Sequence, residues 1–258
     1  DVTIEAGEGD KVYVYVGMRR GGGNYYAIDA TNRSDPRLMW RIEGGSGEFL
    51  DVAQTWSAPK LAKVRWNCDT NGDNCADKLV LLFAGGYDPN HDVATLPTTG
   101  DAGAAVFMVD ATTGALLWSA GRPDNPTLHD LVLSEMHNSI PADLTLADMD
   151  NDGYLDLIYT VDITGHLWRF DINQQNTNAG DFATGGITAK LGDYDSDSAN
   201  DEAHFRRFFY APDVTFFQTR GDKSFLSIAL GSGYRAHPRD TTVTDRFYVV
   251  FDPFPFGP

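Results

Sequence analysis

The residues of this sequence best suited to chemistry lie in one short acidic segment, ADMDNDGYLDLIY, residues 147–159. Four carboxylates within nine residues repel one another by roughly 1 kcal/mol per close pair in water. A hard divalent cation relieves that repulsion. Gly153 follows the third acid, where a chain that curls around an ion needs positive φ. The predicted ligands are the side chains of Asp148, Asp150, Asp152 and Asp156 and the backbone carbonyl of Tyr154.

The donor set of this loop indicates which ion it would take. Oxygen ligands without a nearby His or Cys favour calcium over zinc or copper. The loop is not an EF-hand, because Tyr159 stands at the twelfth position, where that motif needs Glu. The β-branched and aromatic residues that follow predict a strand rather than a helix. The alternative is an acidic surface turn that binds nothing.

A second loop, CDTNGDNCAD, repeats the one-three-five-nine spacing at residues 68–77. Asn74 replaces Gly at the sixth position, and Asn is tolerant of positive φ. One fewer carboxylate predicts weaker binding than at the first loop, and a solvated loop is the alternative. Its predicted ligands are Asp69, Asn71, Asp73, the backbone carbonyl of Cys75 and Asp77.

Two further motifs favour ordinary structural interpretations. A third acidic series keeps the spacing, but its surroundings have the composition of a flexible linker, which is favoured over a third ion site. The tripeptide Arg220, Gly221 and Asp222 could dock a receptor on an exposed turn, although a simple hairpin turn is favoured. The residues of the third series are Asp193, Asp195, Asp197 and Asp201.

Charge and cysteine content limit the class of protein. The 258 residues include 37 acids and 20 bases, a net charge of −17, which argues against nucleic acid and anionic membrane partners. No apolar run approaches the ~20 residues of a membrane span. Cys68 and Cys75 flank the second loop, and a disulfide between them fits an extracytoplasmic protein; two free thiols are the alternative.

The elements that carry these loops are predicted to be strands. Helical periodicity is nearly absent, and short apolar runs alternate with Gly, Asn, Asp and Pro. A strand ending in a hydrophobic residue and Asp recurs at Asp29, Asp110, Asp171 and Asp252. This repetition predicts an all-β modified β-propeller of about four complete or partial antiparallel meanders, a segment of a larger propeller, with a β-sandwich as the alternative. The single domain would comprise blade-like units at about 10–45, 54–120, 137–190 and 205–258.

One run resembles a blade-docking motif. Asp110 to Trp118 is similar to the Asp-x-x-Thr-Gly-x-x-x-Trp motif of quinoprotein (PQQ) dehydrogenase propellers, in which Trp packs between blades, and residues 29–40 form a partial copy. The motif is architectural and supports the fold more than an activity. A quinoprotein-like dehydrogenase is nevertheless the enzymatic alternative.

Five segments in order along the chain carry a family resemblance, and they are 17–29, 54–59, 147–156, 165–171 and 230–234. Their sequences are GMRRGGGNYYAID, QTWSAP, ADMDNDGYLD, GHLWRFD and LGSGY. Together they resemble the C-terminal β-propeller domain of the PilY/PilC family of type IV pilus tip and assembly proteins.

The resemblance implies a propeller of seven blades with a nine-residue calcium loop at Asp148–Asp156. It also implies that calcium occupancy tunes pilus extension against retraction, and that the protein lies at the cell surface or pilus tip, associated with the outer membrane. We therefore expect a non-enzymatic protein that binds one to two calcium ions, or three if the last acidic series also binds. The expected partners are pilins or minor pilins and a host or surface receptor; a pure cell-adhesion module is a further alternative.

Overall fold

The computed structural model describes residues 9–72, 74–94, 98, 100–192, 204–219 and 224–255. Within these ranges the chain forms β-strands and three single-turn 3-10 helices, at Gly47–Phe49, Pro89–Asp92 and Ala179–Asp181. None of these helical turns has the length or apolar character needed to cross a membrane. The predicted all-β class is confirmed.

The strands of the described chain form four sheets, each made of strands consecutive in sequence. Pairing is antiparallel throughout, except for a short parallel contact between β7 and β8. The first sheet contains β1 (Tyr13–Gly17), β2 (Asn24–Asp29) and β3 (Arg37–Glu43); the second contains β4 (Lys60–Trp66), β5 (Ala76–Ala84), β6 (Ala105–Asp110), β7 (Leu116–Gly121) and β8 (Leu131–Val132). The third contains β9 (Thr145–Ala147), β10 (Leu157–Val161), β11 (His166–Ile172) and β12 (Ala183–Lys190); the fourth contains β13 (Asp213–Gln218), β14 (Ser224–Gly231) and β15 (Phe247–Asp252).

Consecutive sheets pack face to face, and side-chain alternation along the strands explains how. In β5, Leu81 and Phe83 pack against the first sheet, whereas Val80 and Leu82 belong to the core shared with the third sheet. Successive side chains of a strand point to opposite faces, so a strand covered on both faces reads as a continuous apolar run. A third core joins the third sheet to the fourth. Four meanders stacked in this order exclude the β-sandwich alternative.

Trp40, in the middle of β3, docks the first sheet on the second. The indole N–H of Trp40 donates to the Ala111 carbonyl at 3.1 Å. Gly114 adopts a φ of +73°, and a Cβ there would lie 2.7 Å from the Trp40 ring. Asp110 shapes the turn by accepting the backbone N–H groups of Thr112 and Thr113, each at 3.0 Å. The docking motif thus works between adjacent sheets.

The topology separates two ends of the molecule. The two acidic loops connect β4 to β5 and β9 to β10. The connections after β1, β5, β10 and β14 leave the opposite ends of these strands. A small core lies at this end. It combines Tyr87 and Ile163 from these connections with Trp56 from the segment before β4 and Phe209 from the segment before β13, and Tyr234 and Ala236 pack against it.

Candidate metal centre

The loop between β9 and β10 brings three predicted ligands together. Asp148, Asp150 and Asp156 each offer a carboxylate oxygen, and these oxygens lie within 4.8 Å of one another. Asp148 and Asp150 are exposed and Asp156 is half-buried. The clustering gives a divalent cation three negatively charged oxygens on one side of the loop, which is the chemistry that calcium prefers.

The backbone of the loop holds these side chains in place. The N–H groups of Asp152 and Gly153 donate to the two oxygens of Asp148, at 3.2 and 2.8 Å. Gly153 adopts a φ of +89° and Asn151 a φ of +62°, as a tight turn requires. Asp156 accepts the Met149 N–H at 2.6 Å. The loop is therefore closed by its own carboxylates.

The fourth predicted acid has a protein cation as its partner. Asp152 Oδ2 lies 2.8 Å from the Arg65 guanidinium of β4. Tyr154, whose carbonyl was predicted as a ligand, places its ring 4.4 Å from both the Lys63 ammonium and the Arg65 guanidinium. Its hydroxyl donates to Asp77 at 2.7 Å. The structure thus brings three of the four acids together and directs the fourth toward β4.

The second loop has a different geometry. Asp69 accepts the Asn71 N–H at 3.1 Å and the Asn74 side-chain amide at 2.6 Å. The expectation of positive φ at Asn74 is wrong: Gly72, two residues earlier, adopts a φ of +75°, and Asn74 instead turns its amide toward Asp69. Asp73 lies outside the described residues. The ninth-position acid, Asp77, points toward β4 and the first loop.

Asp77 is already neutralised by a neighbouring cation. Its Oδ2 lies 2.8 Å from the Lys63 ammonium. The hydrogen bond from Lys63, together with that from Tyr154, lowers the pKa of Asp77 below the ordinary aspartate value. A metal ion at the second loop would have to compete with Lys63 for this carboxylate, which makes the loop a poorer candidate than the first.

The predicted disulfide between Cys68 and Cys75 is confirmed. It closes the second loop, which packs on the segment after β11. The Cys68 N–H donates to the Asn176 carbonyl at 2.7 Å, and the Asn67 N–H to the Asn176 side chain at 3.1 Å. The disulfide thus stabilises a loop that contacts the third sheet.

Two predicted sites fall where the structure gives no description. They are the third acidic series, Asp193, Asp195, Asp197 and Asp201, and the tripeptide Arg220, Gly221 and Asp222. Both stay predictions.

Sequence reasoning missed the two cations of β4 that accompany the acidic loops. Lys63 and Arg65 lie two residues apart, so they project from the same face of the strand. Lys63 contacts Asp77, and Arg65 contacts Asp152. The alternation of KLAKVRW shows that the pair shares a face, but nothing in the sequence indicates which loop that face meets.

Comparisons with known proteins bear on the family. No protein-family model matches the chain. The type IV pilus biogenesis factor PilY1 of Pseudomonas aeruginosa strain PAO1 is 28% identical over 167 residues, covering 64% of this chain and 12% of that protein. A PilY1 homolog of Xylella fastidiosa strain Temecula1 is 24% identical over 160 residues, covering 61% of this chain and 9% of that protein. The matched region is a small part of these relatives.

The crystal structure of the Pseudomonas aeruginosa PilY1 C-terminal domain superposes with a TM-score of 0.62. The superposition covers 93% of this chain and 46% of that chain, at 20% sequence identity. The shared fold is β-propeller-like, so the predicted fold class is confirmed, as is the resemblance to the PilY/PilC family. The chain is thus similar in sequence to the PilY1 type IV pilus biogenesis factors and shares the fold of the Pseudomonas aeruginosa PilY1 C-terminal domain.

Proposed function

We propose that this chain is a calcium-binding propeller segment of a type IV pilus biogenesis or tip protein, in which calcium occupancy tunes pilus assembly or retraction and surface adhesion. The observation that carries the proposal is the gathering of Asp148, Asp150 and Asp156 in a chain related to PilY1. The similarity to PilY1 supports the pilus role, and the loop geometry supports the metal.

Calcium suits the donor set of the first loop. Asp148, Asp150 and Asp156 would hold the ion, which would supply the positive charge that three neighbouring carboxylates lack. Asp152 would coordinate the ion as well only if its ion pair with Arg65 broke. The backbone N–H groups that position Asp148 keep the loop closed around these oxygens.

Calcium binding at this loop would affect neighbouring segments through Asp156. This carboxylate also accepts the Gln174 side-chain amide at 2.9 Å, and its backbone carbonyl accepts the Ile172 N–H at 2.8 Å. Asp156 therefore links the metal loop to the end of β11 and to the segment on which the disulfide loop packs. A change at the ion site would alter the surface formed by these three loops.

The same reasoning assigns a lesser role to the second loop. Asp69, Asn71 and the Cys75 carbonyl, with Asp73, would hold a second, weaker ion, and Asp77 would contribute only in competition with Lys63. The proposed stoichiometry is one to two calcium ions.

Location and partners follow from the family and from the covalent structure. A disulfide persists in oxidising compartments, which supports an extracytoplasmic protein at the cell surface or pilus tip. The proposed partners are pilins or minor pilins, with a host or surface receptor as a further partner. The role is that of a binding protein rather than an enzyme; the Trp40 docking contact is architectural and supplies no catalytic group.

Calorimetric titration with calcium tests the proposal. The wild-type chain should bind one to two ions in saturable fashion, and Asp148→Ala should weaken binding at the tighter site at least tenfold. Asp124→Asn, which removes an exposed acid away from the loop, is the matched control and should bind as the wild type does. Equal binding by wild type and Asp148→Ala would contradict the metal assignment and leave the family relationship intact.

A further inference from the structure

A cavity of about 370 Å³ lies between the third and fourth sheets, and its volume is within the range of small-ligand sites. One wall is residues 186–188 of β12, and the other is residues 250–254, at the end of β15 and just after it. Arg169 and Asp171 of β11 also border it. None of these residues belongs to the candidate metal centre, so the cavity is a separate feature of the molecule.

Strand register shows which residue corresponds to this place in the other sheets. A recurring Asp lies at the end of β2 and β6 and one residue before the end of β11. The cross-strand partner of the residue two positions before this Asp is Trp40 in the first sheet and Trp118 in the second. In the third sheet the partner is Gly186, which pairs with Arg169. The third sheet thus lacks the tryptophan that the first two share.

Each of the two tryptophans fills the space between its own sheet and the next. Trp40 belongs to the core between the first and second sheets, and its indole N–H donates to the carbonyl of Ala111, just after β6. Trp118 belongs to the core between the second and third sheets, where its ring centroid lies 6.0 Å from that of Phe170. The molecule therefore uses a buried indole at this position twice, and the cavity lies where a third would be.

The backbone at Gly186 leaves this space open. A Cβ built on Gly186 has no heavy atom within 4 Å, and Gly186 has no positive φ, so the position admits a side chain. A Cβ on the neighbouring Gly185 would instead lie 2.5 Å from the Phe170 ring. Directly paired residues of an antiparallel sheet share a face, so Gly186 faces the fourth sheet, where Arg169 pairs with Asp252. Gly186 therefore leaves room for a ring that the chain does not supply from this position.

The lining of the cavity favours a neutral aromatic group. Its charges are paired with one another, because Arg169 donates to Asp171 at 3.0 Å and to Asp252 at 2.7 Å. Arg169 also donates to the Phe254 carbonyl at 2.7 Å. Aromatic rings pack on phenylalanine and stack on a planar guanidinium. Most of the other side chains at the border are apolar, and the two phenylalanines among them are more than half exposed; these apolar residues are Ile187, Val250, Phe251, Pro253 and Phe254.

We propose that this cavity binds a tryptophan side chain of a partner protein, whose indole takes the place that Trp40 and Trp118 take between the earlier sheets. The cavity adjoins the packed core between the third and fourth sheets, so an inserted indole extends that core and is covered by both sheets. The paired charges at the border leave no unbalanced group for the indole to desolvate. The partner is therefore a protein segment that presents an exposed tryptophan.

The test uses the whole chain, isotopically labelled, in an NMR titration with N-acetyl-tryptophanamide, a neutral molecule that carries the proposed side chain. We expect saturable shifts of the amides of 186–188 and 250–252. Binding should be about threefold to tenfold weaker for N-acetyl-leucinamide, the difference that ring contacts supply. Gly186→Trp should supply the indole from the chain itself and abolish binding. Ser34→Trp adds the same residue to the exposed turn after β2 and should leave the affinity unchanged.

Thermal unfolding shows whether each variant is folded. If Gly186→Trp is unfolded, Gly186→Leu, which fills less of the cavity, takes its place and should weaken binding. Equal binding of the two probes would overturn the proposal, because it would indicate a nonspecific apolar surface. Wild-type affinity in a folded Gly186 variant, or an equal loss in Ser34→Trp, would also overturn it. So would the absence of saturable shifts in the wild type, which would mean that the cavity is closed to a separate molecule. Because none of these readouts involves calcium, the result is independent of the metal titration.

Discussion

The guanidinium of Arg65 lies 2.8 Å from Asp152 Oδ2, so a cation from β4 already holds the fifth-position acid of the metal loop. The two residues are 87 positions apart in sequence. The negative charge of Asp152 is therefore already paired with Arg65 of β4. A calcium ion that recruits Asp152 must displace Arg65.

The first prediction concerns this competition. Arg65→Gln should strengthen calcium binding about fivefold, because a partly exposed ion pair contributes up to about 1 kcal/mol and every 1.4 kcal/mol is about tenfold in affinity. Calorimetric titration measures the change, with Arg33→Gln as the control for net charge. Unchanged or weaker binding by Arg65→Gln alone would mean that Asp152 takes no part.

The second prediction concerns the docking of Trp40. Gly114→Ala should destabilise the chain by about 2–3 kcal/mol, since the alanine must adopt positive φ and its Cβ would overlap the Trp40 ring. Urea unfolding followed by tryptophan fluorescence gives the value. Gly186→Ala is the matched control, because no heavy atom lies within 4 Å of the added Cβ, and it should change stability by less than about 1 kcal/mol. Equal effects of the two substitutions would rule out the docking role.

The third prediction concerns the buried ion pair between the third and fourth sheets. Arg169 Nη1 lies 2.7 Å from Asp252 Oδ2, and the Tyr159 hydroxyl donates to the same oxygen at 2.7 Å. Asp252→Asn should cost about 3 kcal/mol at pH 7, the lower end of the range for a broken buried pair, because Asp171 still pairs with Arg169. Asp35→Asn, which breaks the exposed pair with Arg37, should cost at most about 1 kcal/mol.

The cost of Asp252→Asn should also depend on pH. Burial alone would raise the pKa of Asp252, but the Phe254 N–H, Tyr159 and Arg169 together lower it. A lowered pKa contributes stability that is complete above the ordinary aspartate value of about 3.9 and is lost as pH falls through the folded pKa. The difference between wild type and Asp252→Asn should therefore shrink in urea titrations below pH 4. A difference constant from pH 7 to pH 2.5 would contradict this assignment.

The fourth prediction concerns the disulfide. Its short loop, with a sequence separation of 7, predicts a stabilisation of roughly 2–3 kcal/mol from the lost entropy of the unfolded chain. Unfolding with and without dithiothreitol measures it, and a Cys68→Ser, Cys75→Ser double variant should match the reduced protein and be insensitive to the reductant. A reduced protein as stable as the oxidised one would show that contacts with Asn176 suffice to hold the loop.

The sequence was most informative where structure depends on local pattern. The apolar run in β5 and the motif from Asp110 to Trp118 are encoded by neighbouring residues, so the strands and the docking motif could be predicted. The acid spacing also identified the three clustered carboxylates. Loop closure around Asp148 depends on backbone N–H groups within the same segment, which is why it is visible in the sequence.

Contacts between residues far apart in the sequence could not be predicted from it. Asp51 is 1% exposed and accepts His129 Nε2 at 3.0 Å and Arg122 at 2.7 Å. Nothing near any of the three residues indicates this buried cluster, because Asp51 reaches it from the connection between two sheets. The Arg65 pairing was missed for the same reason: the stacking of sheets, rather than any spacing, decides which partners meet.

Arg20 has a consequence for the order in which the molecule assembles. It follows β1, yet it bonds to Asp92 after β5 and to the carbonyl of Ala236 after β14, a separation of 216 residues for the latter contact. Contacts between such distant segments form late and slow folding, because loop-closure entropy must be lost before they form. The pair with Asp92 can form once the second sheet is in place, whereas the bond to Ala236 also requires the fourth sheet. The hydrogen bonds of the Arg20 guanidinium are therefore complete only when both the second and the fourth sheets have formed.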